Sequence, residues 1–585
     1  MNLEKTERHL PDSRSIFEEI EFHNRTPNRL SDQSSASAIM TTVEPDEPEL
    51  ITEKEDNFED KKYFCTNLKF YVRELTQTIE VHGLCYIFEQ GRTLFERLFW
   101  IIILLTSLGM CVLLVITIQN MYENTPIIIS FSTQSTPVYE IPFPAVTICS
   151  QVKAPLREPS FVEIRRNYVN TGKFSSNEDF EYFQYMQFVC DNDFVGKNMF
   201  AFKNESLRQL DDSFFETMKA FSPKIDEMMD SCFFLGELKN CSDLFTAVYT
   251  KIGVCYSFNM VDWREIFREK AYRLKHSGYF ESNIDGDSDW SVENYYKTRN
   301  AATYPLRGVM KGPINSLTVY LKQNVRDIDP VCTTGTSGFR IRIHDPLRLP
   351  NFEDHSTQVS LNTSMMIAIH PHMLKVSDVV KSLPLSARRC YLQGERSLEF
   401  YKRYNQKNCL SECLHRFILS SCGCVPFYAP REQTTPLCGA AKLHCVLKAK
   451  RTFELDLLNE YTSREEDHNQ TCNCKKFCAE FDYNVEISVS ESDFQQNSDH
   501  NLTYEMSHLT IFFKSKNFVA LQKVEFYGLT DLLAHIGGLL NFFIGSSVLT
   551  FLEIVYAFTL KILCNKIIYG PWAGPAAVQY NYVLK

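Results

Sequence analysis

A run of 21 residues without a charged side chain, Leu98 to Ile118, constrains this chain more than any other feature. A bilayer core about 30 Å thick needs roughly 20 helical residues, each adding about 1.5 Å. The run therefore predicts a membrane-spanning helix. The alternative is the buried core helix of a soluble protein, but such helices rarely exclude charge for so long. Arg92 and Arg97 precede the run. Because basic residues collect on the cytosolic side, we expect the N-terminus in the cytosol.

A second apolar segment runs from Leu532 to Leu560 and is 29 residues long. Because it exceeds the thickness of the bilayer core, it is expected to tilt, break or project outward. A carboxylate facing lipid is costly, so Glu553 is expected to face water or a partner helix. Lys561 and Lys566 follow the segment and place the C-terminus in the cytosol as well.

Two spans with both tails in the cytosol place the middle of the chain outside the cell. Five N-glycosylation sequons lie in this middle part, at Asn204, Asn240, Asn362, Asn469 and Asn501. The sixth sequon, at Asn24, lies in the predicted cytosolic tail. Of the 20 cysteines, 16 also lie in the middle part, and an even number of extracellular cysteines indicates a disulfide framework.

The predicted segments are a largely disordered cytosolic tail at 1–62, a pre-span segment at 63–97, a first transmembrane helix at 98–118, an extracellular domain at 119–528, a second transmembrane helix at 529–560 and a cytosolic tail at 561–585.

Composition and motifs exclude several classes of protein. The formal net charge of −11 argues against a nucleic-acid partner, which requires a basic surface. Neither the His-Glu-x-x-His motif of zinc proteases nor the Gly-x-Ser-x-Gly motif of hydrolases occurs. We therefore expect no enzymatic activity and no cofactor. The polar residues 1–62 lack the apolar stretch of a secretory signal peptide, so insertion is expected to depend on an internal span.

Ten cysteines between Cys390 and Cys478 have a spacing that suggests a connectivity. Cys409 and Cys413 are four residues apart and would share one face of a helix. Cys472 and Cys474 are two residues apart and would share one face of a strand. An antiparallel arrangement then predicts a ladder of Cys409 with Cys474, Cys413 with Cys472, Cys422 with Cys445, Cys424 with Cys438 and Cys390 with Cys478. Ten cysteines allow many other pairings, and zinc binding by the close pairs is a rival interpretation.

Four ordered motifs then carry a family resemblance. They are His82-Gly83 before the first span, FPAVTIC at Phe143 to Cys149, the cysteine ladder, and AHIGGLLNFFIGSSVLTFLEIVY at Ala534 to Tyr556. With them the chain resembles the epithelial sodium channel/degenerin superfamily over about Cys65 to Lys566, and insect pickpocket-type channel subunits in particular. The resemblance implies an α+β membrane protein with two transmembrane helices and a large disulfide-rich β-sheet ectodomain. It also implies a homo- or heterotrimer in the plasma membrane.

The resemblance further implies how the ectodomain is built from palm, ball, finger, knuckle and thumb. The thumb would be about 390–478, and the pairing known in the family agrees with the ladder. The finger would run from Cys190 to about Pro305 and include a charged helical stretch near Trp263 to Lys275. The family also implies disulfides of Cys149 with Cys255 and Cys232 with Cys241. Cys190 and Cys332 are left over; they could pair with each other, but their spacing does not show it.

The resemblance implies roles for residues near the membrane. Gly545, Ser546 and Ser547 would form the selectivity filter, because glycine lets the helix unwind and freed carbonyls and hydroxyls can replace water around Na⁺. The alternative is that these small residues only allow close helix packing. Glu553 would concentrate cations near the filter. The gating residues would be His82, Gly83 and Ala534, the last at a position where bulk prevents closure.

Three positions depart from the family pattern. Tyr556 stands where many members carry a second acidic residue, so the acidic ring would be thinner. His535 occupies a place that is acidic in acid-sensing members. Ala387 replaces an aromatic residue that docks beside the first span in those members, with Tyr122 as its remaining partner. Proton gating is therefore not expected.

The leading hypothesis is a subunit of a sodium-selective, amiloride-sensitive cation channel that responds to a mechanical, chemical or osmotic stimulus. Its only small ligands would be permeant Na⁺ and amiloride-type blockers. A two-span extracellular receptor without a pore is the main alternative. Such a receptor shares the topology and the sequons but does not explain Gly545-Ser546-Ser547 near Glu553.

Overall fold

The computed structural model describes residues 67–69, 71–79, 81–89, 91–124, 127–190, 209–272, 288–297, 303–329, 332, 336–353, 355–462, 472–492, 504–570 and 572–574. Asn204, Asn469 and Asn501, like Asn24, lie outside these residues. Of the remaining sequons, Asn240 is exposed and Asn362 is half-buried.

Seventeen strands and fifteen α-helices have defined bounds. The strands are β1 Ile127–Pro137, β2 Ala145–Ser150, β3 Gln209–Leu210, β4 Met229–Phe234, β5 Glu237–Lys239, β6 Phe245–Thr250, β7 Gly253–Phe258, β8 Trp290–Ser291, β9 Tyr295–Tyr296, β10 Leu317–Asn324, β11 Phe339–His344, β12 Thr357–Val359, β13 Thr363–Val376, β14 Leu437–Cys438, β15 Glu480–Glu491, β16 Tyr504–Phe513 and β17 Asn517–Glu525. The helices are α1 Leu84–Phe88, α2 Leu94–Asn124, α3 Phe161–Thr171, α4 Asn177–Val189, α5 Ser213–Phe221, α6 Ile225–Met228, α7 Cys241–Leu244, α8 Trp263–Ile266, α9 Asp378–Ser382, α10 Leu385–Arg388, α11 Gln406–Cys422, α12 Leu443–Thr462, α13 Leu529–Ile544, α14 Val548–Tyr556 and α15 Ile562–Tyr569, with a π-helical turn at Ala557–Lys561 between the last two.

The first apolar run forms the middle of α2, which is 31 residues long. The helix starts just after Thr93, whose hydroxyl accepts a hydrogen bond from the Glu96 backbone N–H while the Glu96 carboxylate accepts one from the Thr93 N–H. Such a reciprocal cap stabilises a helix start. Cys111 is the one buried residue of α2. A long apolar helix with so little burial inside its own chain fits a lipid-facing span.

Two sheets form the ectodomain. The larger has eight strands in the order β1-β17-β13-β16-β10-β4-β5, with β15 paired to the free side of β13. The smaller has five strands in the order β12-β11-β2-β7-β6. Side chains along β10 alternate between buried and half-buried, as period-two patterning requires for a sheet that covers a core on one face. The sheets enclose the main core, which includes Phe143, Phe258, Phe339 and Phe513.

Eight disulfides cross-link the ectodomain. They join the seven pairs that the sequence analysis named: Cys149–Cys255, Cys232–Cys241, Cys390–Cys478, Cys409–Cys474, Cys413–Cys472, Cys422–Cys445 and Cys424–Cys438. Cys190 and Cys332, whose spacing did not indicate a pair, form the eighth. The close cysteine pairs are thus engaged in disulfides, so the structure does not support zinc binding there. The predicted fold class, two apolar spans with a disulfide-rich β ectodomain, is confirmed.

The prediction that Cys472 and Cys474 lie on a strand is wrong, although their partners are the ones expected. The backbone there is irregular, with Asn473 at a φ of 47°, and β15 begins only at Glu480. The carbonyls of this segment accept hydrogen bonds from side chains instead of a neighbouring strand. Gln406 Nε2 donates to the Cys474 carbonyl at 3.0 Å, and the Tyr404 hydroxyl donates to the carbonyl of the next residue.

The prediction of a helical stretch near Trp263 to Lys275 is also wrong. Only Trp263–Ile266 is helical, and the rest of the described segment, to Tyr272, is not. Two of its backbone N–H groups donate to distant carbonyls, that of Arg268 to Phe400 at 2.7 Å and that of Tyr272 to Arg431 at 2.7 Å. Tertiary hydrogen bonds therefore override the local helix preference.

The described parts of 1–78 and 555–585 form a small unit of their own. Tyr71, on a helical stretch at 71–78, is buried and donates its hydroxyl to the carbonyl of Ala557, the first residue of the π-helical turn. Its ring lies 5.5 Å from that of Trp572. Lys561 Nζ lies 3.0 Å from the Glu74 carboxylate. The Tyr71 hydroxyl thus gives the π-helical turn a hydrogen bond from a residue far away in sequence.

Two histidines of the ectodomain, His344 and His415, are buried. Burial lowers the pKa of His344 to about 4, although its Nδ1 lies 3.0 Å from the Asp345 carbonyl. Burial likewise lowers the pKa of His415 to about 4, and its Nδ1 has no hydrogen-bond partner among the residues described. Glu353, Lys450 and the ring of Tyr428 lie near His415.

Because the unfolded chain takes up these protons at higher pH than the folded one, the histidines' contribution is complete above about pH 6.5 and is lost toward pH 4. The loss is on the order of 3 kcal/mol for each histidine at pH 4. We therefore expect the melting temperature of the detergent-solubilised chain to fall between pH 7 and pH 4.5, and to fall less in His415→Phe. His372→Phe, at an exposed position, is the control. Parallel pH profiles for the two variants would contradict this prediction.

Candidate ion pathway in the second span

The second apolar segment is a broken helix. Its first part, α13, starts after Gly528, whose N–H donates to the Asp531 carboxylate at 3.1 Å. It ends at Gly545, whose N–H donates to the Asn541 carbonyl at 2.9 Å and whose φ is 72°. That positive φ costs glycine little, because it has no Cβ to clash. The sequence left open whether the segment would tilt, break or project, and the structure shows a break.

Ser547 starts the second part of the span. Its hydroxyl accepts a hydrogen bond from the Thr550 N–H at 3.2 Å, and the Thr550 hydroxyl accepts one from the Ser547 N–H at 3.2 Å. The Ser547 carbonyl accepts from the Phe551 N–H at 3.1 Å. This reciprocal cap is the local reason why a helix resumes at Val548. The helical course then continues through α14, the π-helical turn and α15 to Tyr569.

His82 and Gly83 lie against this break. The His82 N–H donates to the Ile544 carbonyl at 3.0 Å. Its ring lies so close to Gly545 that an added Cβ there would come within 1.7 Å of the ring nitrogen Nδ1. Gly83 has a φ of 86°, and a Cβ there would contact the Trp100 ring at 3.3 Å. The His-Gly turn therefore fits between the break and the first span only because both glycines lack a side chain.

The first span also contacts the second near the break. The Ser107 hydroxyl donates to the Phe543 carbonyl at 2.6 Å. Ser107 and Thr550 are both residues that the sequence analysis did not single out. Thr550 could have been found, since Ser-x-x-Thr resembles the capping pattern that starts many helices. Nothing local to Ser107 indicates its partner.

The other predicted site residues lie apart from the break. Ala534 and His535 are exposed on α13, and the His535 ring lies 5.5 Å from that of Tyr527. Glu553 and Tyr556 are exposed on α14. The structure therefore brings His82 and Gly83 together with Gly545 and leaves the side chains of Ala534 and Glu553 uncovered by their own chain.

Ala387 borders a cavity of about 290 Å³ at the C-terminal end of the first span. Its lining includes Glu123, Asn124 and Arg389. No ring contact reaches Tyr122 from the described part of the chain.

The sequence profile of one family, described as amiloride-sensitive sodium channel, matches residues 75–557. The match takes in the first apolar helix that is long enough to cross a membrane, the second one as far as residue 557, and all eight disulfides. The chain belongs to the amiloride-sensitive sodium channel family. The superfamily resemblance drawn from the motifs is thereby confirmed. Members of this family are ion-channel subunits in membranes, not enzymes, and they assemble as oligomers.

Several relatives match most of the chain at modest identity. Pickpocket protein 28 of Drosophila melanogaster is 26% identical over 519 residues, which is 85% of this chain and 78% of the relative. Pickpocket protein 19 of the same species is 23% identical over 496 residues, covering 81% and 88% of the two chains. Acid-sensing ion channel 1C of Danio rerio is 23% identical over 525 residues, covering 86% and 85%. The family match thus extends over the spans and the ectodomain alike.

Proposed function

We propose that this chain is a subunit of a trimeric, sodium-selective plasma-membrane channel that amiloride-type compounds block. Both termini would lie in the cytosol, and a mechanical, chemical or osmotic stimulus would open the pore. The Gly545-Ser546-Ser547 tract would be the filter, Glu553 would attract cations, and Ala534 with the His82-Gly83 turn would govern gating.

The broken second span is the observation that carries this proposal. A spanning helix satisfies its own backbone hydrogen bonds, so irregular backbone at membrane depth is tolerated only where it is buried in protein or faces water. Here no donor among the described residues reaches the carbonyls of Gly545 and Ser546. Unpaired carbonyls that face water can replace part of the hydration shell of a permeating cation.

The test is whole-cell recording from cells that express the chain, alone and with related subunits. The expected result is an inward current that is carried by Na⁺, is smaller when K⁺ replaces Na⁺, and is blocked by amiloride. Scanning cysteine accessibility from Leu539 to Glu553 separates this function from a receptor without a pore. Surface protein that gives no current and no thiol labelling along that stretch would instead identify such a receptor.

Glu553 supplies a prediction on conductance. A carboxylate near a narrow pore raises the local concentration of cations, an effect that salt screens over about 10 Å at 0.1 M. Glu553→Gln is therefore expected to lower the inward single-channel Na⁺ conductance about two-fold, and more strongly at low ionic strength. Glu123→Gln, which neutralises an exposed carboxylate at the end of the first span, is the matched control. Equal conductance changes in both variants would rule out the assigned role.

A further inference from the structure

The hydroxyl of Ser547 is committed to the cap of the second half-helix. It accepts a hydrogen bond from the Thr550 N–H and lies 3.2 Å from the Thr550 hydroxyl. If Thr550 is the donor in that pair, both lone pairs of the serine oxygen are used. If Ser547 is the donor, its proton is used and one lone pair is left. In either case the side chain is held against the helix start.

The backbone oxygens around the break divide into two groups. The Phe543 carbonyl accepts from Ser107, the Ile544 carbonyl from His82, and the Ser547 carbonyl from Phe551. Between them, the carbonyls of Gly545 and Ser546 have no donor in the described part of the chain. The two free oxygens of the break itself thus lie on adjacent residues.

Thr550 lies where it can fix the direction of the carbonyls at the break. It is 3% exposed, although most side chains of α14 are uncovered. Its backbone N–H and its hydroxyl both bond to Ser547. Without the hydroxyl, the Ser547 N–H loses its acceptor and the Ser547 side chain is held by one bond only. The start of the second half-helix, and with it the direction of the preceding carbonyls, would then be less fixed.

We propose that Thr550 is a positioning residue for ion selectivity. It holds Ser547 as a helix cap, so that Na⁺ meets the oxygens of Gly545 and Ser546 and not the Ser547 hydroxyl. This inference rests on the proposed channel function and changes the role of Ser547 from an ion ligand to a support. A support matters because discrimination between cations depends on how well the ligand oxygens are held in place.

The experiment is a double-mutant cycle in a channel kept open by Ala534→Val. The Na⁺/K⁺ permeability ratio is measured from reversal potentials for Thr550→Val, Ser547→Ala and the double variant, with surface biotinylation of each. We expect each single variant to lower the ratio about three-fold or more, and the double variant to lower it by less than the product of the two effects, since both single variants remove the same hydroxyl–hydroxyl contact of the cap. Thr550→Ser should keep the ratio of the parent. Thr559→Val, which removes a hydroxyl that donates to the Val555 carbonyl one turn earlier, is the matched control.

Other outcomes decide against the inference. An unchanged ratio in Thr550→Val, or effects that multiply in the double variant, would overturn it and leave the channel function intact. If Thr550→Val fails to reach the surface, Ser547→Asn is tested instead, because asparagine caps helices as well as serine does. A retained ratio in Ser547→Asn with a lowered ratio in Ser547→Ala supports the cap, and a lowered ratio in both overturns it. No current from surface-expressed Ala534→Val channels would overturn the channel function and this inference together.

Discussion

Ala534→Val is expected to produce a standing inward Na⁺ current in the absence of any stimulus. Ala534 lies on α13, before the break, and its side chain is exposed on the isolated chain. In the proposed assembly this is a place where copies of the helix approach one another when the pore is closed. Added methyl groups would then destabilise the closed state, whereas the open state would have room for them.

The size of this effect follows from packing energetics. Forcing extra methyl groups into a packed contact typically costs about 1–3 kcal/mol. Since about 1.4 kcal/mol changes an equilibrium tenfold, a rise of the open-to-closed ratio of about tenfold or more is expected. Valine adds bulk without charge, so ion selectivity should stay as in the wild type.

Two variants serve as controls for this experiment. Ala534→Ser adds a single oxygen and should remain closed at rest. Leu533→Ile changes an exposed neighbour on the same helix without adding volume. A standing current of equal size in all three variants, or none in Ala534→Val at normal surface level, would contradict the role assigned to Ala534.

Gly545→Ala is expected to abolish the current even in the Ala534→Val background. An alanine at a φ of 72° is strained, since a left-handed conformation costs an L-residue about 1–2 kcal/mol. Its Cβ would also overlap the His82 ring, at 1.7 Å from Nδ1 and 2.3 Å from Cε1. Relief requires the break or the His-Gly turn to move, and either movement displaces the two free carbonyls.

Gly538→Ala provides a control of matched chemistry in the same span. An added Cβ at Gly538 meets nothing within 4 Å in the isolated chain, and its backbone is helical. It should conduct as the parent does, because Gly to Ala inside a helix is favourable by roughly 0.5–1 kcal/mol. His82→Ala combined with Gly545→Ala removes the overlap but not the backbone strain. Partial recovery of current in that pair would identify the ring contact as one of the causes, and equal currents in Gly545→Ala and Gly538→Ala would refute the prediction.

Local sequence patterns predicted much of the framework. Apolar length located both spans. The first helix, α2, extends beyond 98–118 at its start because Thr93 and Glu96 cap it one turn earlier, and it continues to Asn124 at its other end. The spacing of the thumb cysteines suggested the ladder, and the family resemblance supported it. Gly545 drew attention as the residue that lets a helix unwind. Each of these conclusions depends on residues close together in the chain.

The two wrong predictions concern segments whose hydrogen-bond partners are far away in the sequence. The stretch after Trp263 has a helical composition, yet two of its backbone N–H groups donate to the distant carbonyls of Phe400 and Arg431. Cys472 and Cys474 were expected on a strand, but side chains from before α11 and from its first turn take up the nearby carbonyls. In both places a partner far away in sequence decided the backbone conformation.

The sequence by itself determined that the chain crosses a membrane, that its middle part is disulfide-bonded, and at which residues the helix of the second span can be interrupted. Apolar length, cysteine spacing and a glycine-serine tract are properties of neighbouring residues, so they can be recognised without a fold. Only the tertiary structure decided that Cys190 bonds to Cys332, that His82 covers Gly545, and that two carbonyls remain free at the break. These contacts join residues that are brought together only when the sheets, the spans and the His-Gly turn have packed, and their energies depend on distances that no local pattern specifies.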